Sequence, residues 1–165
     1  MKFSIIYPGV NMNIPSPYIE ILHESIGSLI KSSKWLSHSY DNCIGLFGKE
    51  QLQEMDFVQL EALSSRFSRT LDVLCKQVLR GLDMIEYGET GTLIDILNHS
   101  IKREILPEDN LISRMKILRN LISHEYVPEA LLEISRQVAD FCPVLIEYCK
   151  KAIEYSQKYV SMEDI

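Results

Sequence analysis

The chain has 165 residues, of which 46% are hydrophobic and 24% charged, a composition that fits one globular domain with a real core and excludes a disordered chain. Its formal net charge of −6 excludes a broad, nonspecific grip on nucleic acid, which depends on neutralising phosphates, but leaves room for a small basic site. No apolar run nears the roughly 20 residues that span a bilayer, and the N-terminus is a poor secretion signal because Pro8 and Gly9 break its short apolar stretch, so a cytoplasmic location without membrane association is expected.

Residues 1–15 form an N-terminal arm, in which only Phe3 to Tyr7 alternates as a strand would. A first helix is expected from Ser16 as N-cap, with Pro17 at its first position. Its apolar stripe is Ile19, Leu22, Ile26, Leu29, Ser33, Leu36, Tyr40 and Cys43, and Gly45 and Gly48 end it. Asp56 is the expected cap of a second helix with the stripe Phe57, Leu60, Phe67, Leu71, Leu74, Val78, Leu82 and Ile85, closed by Gly88 and Gly91. A shorter third helix carries Leu93, Leu97, Ile101 and Ile105 and stops before Pro107. A fourth begins near Asp109 with Leu111, Met115, Leu118 and Ile122 inward.

Pro128 opens a long fifth helix whose apolar residues Leu131, Ile134, Val138, Phe141, Leu145, Tyr148, Ala152 and Tyr155 alternate by three and four, with a kink expected at Pro143. The expectation is therefore all-α: an antiparallel, up-and-down bundle of about five helices in one domain, residues 16–160, with a frayed tail at 161–165.

Cys43, Cys75, Cys142 and Cys149 form no close pair and read as buried free thiols rather than zinc ligands. His23, His38 and His99 are isolated from one another and read as solvated or capped. The chemistry concentrates instead at the end of the fourth helix, in Arg119-Asn120-Leu121-Ile122-Ser123-His124-Glu125-Tyr126. Histidine titrates near neutrality and can take or give a proton, and a guanidinium offers fixed donors to phosphate oxygens. Cleavage of RNA by its own 2′-hydroxyl needs those two kinds of group and no metal, and the segment lacks the carboxylate cluster that magnesium favours. Singly, Arg119 could pair with Glu108 or Asp109, His124 could serve the helix C-terminus, and Tyr126 could pack; in this order they read as a site.

On a regular helix Asn120 and His124 share a face, while Arg119 and His124 stand about 140° apart, so a helix end or a second subunit is needed to bring them together. Lys102, Arg103, Arg114, Lys116 and Arg119 supply local positive charge, with Arg114 and Lys116 the candidate substrate-binding residues.

The extended motif, within EDNLISRMKILRNLISHEY and followed by a proline and a long terminal helix, resembles that of HepT-like proteins of the HEPN superfamily over roughly residues 17–160. The resemblance implies a metal-independent ribonuclease toxin that needs no cofactor and has its cleft at a homodimer interface. Arg119 and His124 would be catalytic there, with Asn120 positioning. It also implies a partner, a minimal nucleotidyltransferase antitoxin, which can attach AMP to the motif tyrosine, here Tyr126. Other relatives of this kind are non-catalytic subunits that bind substrate or nucleotide beside a nucleotidyltransferase, and the same residues would then only hold a phosphate.

Overall fold

The computed structural model describes residues 16–122 and 128–161. The expected N-terminal arm, the strand-like stretch Phe3 to Tyr7 and all but Ser161 of the tail lie outside these residues. Helix α1 runs Ser16–Cys43 and ends in a 3-10 turn, Ile44–Gly48. Helices α2 (Glu54–Val73) and α3 (Leu79–Tyr87) are joined without a break by a π turn, Leu74–Val78, so residues 54–87 form one long rod. Helices α4 (Leu93–Lys102), α5 (Leu111–Ile122) and α6 (Pro128–Ser156) follow. The described residues are thus an all-α bundle of five helices, with α2 and α3 counted as one.

The periodicities explain the packing. Leu22, Ile26, Leu29, Leu36 and Cys43 of the α1 stripe are buried, and they meet Leu60, Leu63, Phe67 and Leu71 of α2 in one continuous core. Helix α6 packs against α1, α2 and α5. Its buried face is therefore wider than the alternation by three and four: Ser135, Ala139, Cys142 and Cys149 are buried beside Ile134, Val138 and Leu145. The helix continues through Pro143. Several core hydroxyls are satisfied locally, Ser25 donating to the Ile21 carbonyl, Thr70 to Arg66 and Ser156 to Ala152, while Ser64 and Ser135 bond to each other across the core. All four cysteines are buried and free, and burial pushes the Cys75 thiol up to about 11 and the Cys142 thiol up to about 12.

Three boundaries depart from the sequence pattern. Helix α2 begins earlier than Asp56, with Gln53 as its N-cap; Asp56 instead sits at the third helical position, where its carboxylate accepts the Gln53 N–H at 2.9 Å and the Lys49 ammonium at 2.9 Å. Thr92, unremarked in the sequence, caps α4 by accepting from the Asp95 N–H, while the Asp95 carboxylate accepts the Thr92 N–H in return. Helix α4 stops at Lys102 because Glu104 turns left-handed (φ 59°), and the Ser100 carbonyl then accepts from Ile105 N–H at 3.0 Å. That closing turn usually falls to glycine. Gly88 takes the same role after α3, at φ 76°. Among the described residues no helix is long and apolar enough to cross a membrane.

Candidate functional site

Helix α5 buries Ile112, Met115 and Leu118 against α2 and α6. That leaves Arg119, one position on, at the edge of the α2 contact. Its guanidinium reaches across to Asp72, with Nη2 donating to Oδ2 at 2.7 Å. Asp72 also accepts Lys76 at 2.9 Å from one helical turn away. Half-burial alone would raise the Asp72 carboxyl, but the hydrogen bonds and charges of Lys76 and Arg119 outweigh it and hold the group below the ordinary aspartate range. Arg119 is thereby clamped in one place while remaining 31% exposed. Nη1 also donates to the Asn120 amide oxygen at 3.5 Å, and Asn120 is exposed beside it.

Lys116, the other candidate substrate-binding residue of this helix, takes part in none of the ion pairs among the described residues. Lys76 and Arg119 are the two cations on Asp72. Arg114 does not join them. It lies on the α6 side of α5, stacked over the Phe141 ring at 5.4 Å and beside Glu133 and Asp140 in a shallow depression. Five residues separate Arg114 from Arg119, about 140° around a regular helix, so one helix cannot turn both to one substrate. His124, the expected acid and base, and Tyr126, the expected AMP acceptor, lie outside the described residues. Arg119 forms an ion pair with Asp72, where the sequence had offered Glu108 or Asp109.

Asp72 and Lys76 did not stand out in the sequence. Their spacing marks an ordinary helical ion pair, and nothing local links it to an arginine 47 residues further on. A second polar cluster was also hidden there. Asp83 of α3, fully buried, forms an ion pair with Arg103, its Oδ1 lying 2.6 Å from Nη1, and its Oδ2 meets His99 Nδ1 at 2.9 Å. Arg103 Nε donates to Glu86 at 2.9 Å, and the other Glu86 oxygen accepts the hydroxyls of Tyr155 at 2.9 Å and Tyr159 at 2.7 Å. The Tyr87 ring stacks on His99, with centroids 4.2 Å apart. This network ties α3, α4 and the C-terminal end of α6 together, and its groups are turned towards one another. Among the described residues no three His, Cys, Asp or Glu side chains converge as metal ligands would.

Comparison with protein-family models, with curated proteins and with solved structures finds no match to this chain.

Proposed function

We propose that this chain is a metal-independent ribonuclease toxin of the HEPN and minimal-nucleotidyltransferase kind, with its cleavage site at the end of α5. The observation that carries the reading is the clamped Arg119. It is the first residue of the motif, held by Asp72, still partly open to solvent, and accompanied by Lys76 in a protein that is acidic overall. A pre-positioned guanidinium needs no reorganisation when charge develops on a phosphorane, and that is the condition under which a donor lowers the barrier most.

In the reaction, the 2′-oxygen attacks the adjacent phosphorus and loses its proton to an imidazole of His124. The bond from phosphorus to the 5′-oxygen breaks, and that oxygen takes a proton from an imidazolium. The products are a 2′,3′-cyclic phosphate and a 5′-hydroxyl. Two proton carriers on opposite sides of the phosphate fit two copies of the motif in a twofold dimer. Ile117 and Leu121, one turn apart on α5, are 63% and 47% exposed and supply an apolar surface beside the motif for that contact. The antitoxin would silence the site by attaching AMP to Tyr126, whose phosphate competes with RNA for Arg119.

The test is cleavage of a labelled RNA in buffer with EDTA by the unmutated protein and by His124→Ala. Cleavage that persists in EDTA and is lost in the variant supports the reading. Cleavage that vanishes with EDTA, or persists in His124→Ala, overturns it. A protein that binds RNA without cutting it belongs to the non-catalytic class instead.

A further inference from the structure

A groove of about 530 Å³ runs between α1 and the rod formed by the π turn and α3. The α1 side brings Tyr18 and Ile21, both exposed. The rod brings Lys76 and Arg80, one turn apart, with the apolar Met84 a turn further on. Glu24 of α1 is the carboxylate in the lining. Arg80 is exposed, and none of the ion pairs among the described residues engages it.

Lys76 belongs to two places at once: it lines this groove, and it is the second cation on Asp72, the carboxylate that clamps Arg119. A line of positive charge therefore runs along one helix face, from Arg119 at Asp72 through Lys76 to Arg80. The span from Asp72 to Arg80 is roughly 12 Å at 1.5 Å per residue. Cations tracking a strand beside aromatic and apolar side chains that accept bases are how sequence-tolerant single-strand sites are built.

We propose that this groove binds the nucleotides flanking the scissile phosphate of single-stranded RNA. Lys76 and Arg80 take backbone phosphates, and the ring of Tyr18 stacks on a base. The proposal rests on the ribonuclease reading for the identity of the ligand, but its test involves no cleavage. The groove carries its cations on one wall only, so it suits an extended single strand. A duplex would present two phosphate rows to a rim that carries one.

The experiment uses the full chain and an eight-nucleotide, fully 2′-O-methylated RNA, which cannot undergo internal attack. Binding is read by fluorescence anisotropy across a salt series. The double variant Lys76→Gln, Arg80→Gln is expected to weaken binding and to lower the slope of log affinity against log salt by about 0.7 for each lost phosphate contact. Tyr18→Ala is expected to weaken binding at least about fivefold while leaving the slope unchanged. Ser28→Trp, which fills the groove from its α1 side without altering a charge, is expected to abolish binding at the groove. Circular dichroism confirms that each variant keeps its helix content.

Unmutated affinity and slope in all three variants overturn the proposal. So does absence of binding by the unmutated protein at low salt, or capture of AMP at the groove without capture of the octanucleotide. The two readings fail separately. Groove-dependent binding without cleavage of an unmethylated RNA refutes the nuclease alone, and cleavage insensitive to these variants refutes the groove alone.

Discussion

Among the described residues two arginines, Arg103 and Arg119, form ion pairs with carboxylates, and their difference in depth separates their roles. Arg103 and Asp83 are 3% and 0% exposed, and Arg103 is shared with Glu86, which holds two tyrosine hydroxyls. Arg119 and Asp72 are each 31% exposed, with Lys76 as the third member. The chemistry is alike: a guanidinium on a carboxylate at 2.6 Å in one case and 2.7 Å in the other. In the deep pair, burial works against the charged guanidinium, yet the hydrogen bonds and charges of Asp83 and Glu86 outweigh it and raise the Arg103 pKa. Those groups are committed to one another, and the pair joins three helices. The shallow pair stays partly open to solvent, so its guanidinium remains within reach of an incoming anion. An ion pair of the first kind is structural, and one of the second kind can be functional.

The largest test of that contrast is Arg103→Ala. It leaves the Asp83 carboxylate buried beside Glu86 without its cation, and the expected loss of stability is about 3–5 kcal/mol. Thermal unfolding should fall by on the order of 10 °C. An unchanged melting temperature would erase the distinction from the deep side. Arg119→Ala is the counterpart. It should lower stability by about 1 kcal/mol or less, while RNA cleavage falls about 10²- to 10³-fold. Unfolding and cleavage measured on the same sample decide it, and a variant that loses stability and keeps activity reverses the assignment.

Tyr159→Phe sharpens the deep side. It deletes one hydrogen bond to the Glu86 carboxylate, with an expected cost of about 1.5–3 kcal/mol in chemical denaturation. Burial first, and then the hydrogen bond to Glu86 and its charge, push the Tyr155 phenol up to about 12 and Tyr159 further still. Both phenols hold their protons more tightly folded than unfolded. Their contribution is therefore complete below the unfolded value near 10 and is lost as pH rises through the folded values. The variant should lose part of that alkaline fall in stability.

The smallest effect belongs to Asp72→Asn, which probes the shallow side from its carboxylate. The folded pKa of Asp72 lies below the unfolded value of about 3.9, so its contribution is present above that value and is lost as pH falls through the folded one. The variant should be less stable than the unmutated protein by under about 1 kcal/mol at neutral pH, with the gap closing in acid. A gap that widens in acid would mean that Asp72 is not held ionised by Arg119 and Lys76.

Much of the fold was legible because a helix that must bury one face repeats its apolar residues every three or four positions. Leu22, Ile26, Leu29 and Leu36 marked the inner face of α1, and Gly88 marked the end of α3, since that turn needs a positive φ. The end of α4 carried no such mark, because Glu104 takes the left-handed position that glycine usually fills. The π turn at Leu74–Val78 was equally silent: a single extra residue per turn leaves an apolar stripe almost unchanged in sequence.

For the site, the sequence by itself determined only the order and spacing of Arg119, Asn120, His124 and Tyr126, because local spacing is all that such a motif requires. Only the tertiary structure decided what Arg119 touches and which cations accompany it. Asp72 and Lys76 come to it from α2 and the π turn, and Arg114, five residues before it on its own helix, faces away towards α6. The physical reason is that a helix fixes the angle between neighbours along the chain, whereas the partner across a seam depends on how two helices rotate to bury their apolar faces. That rotation is set by the whole core and written in no single segment.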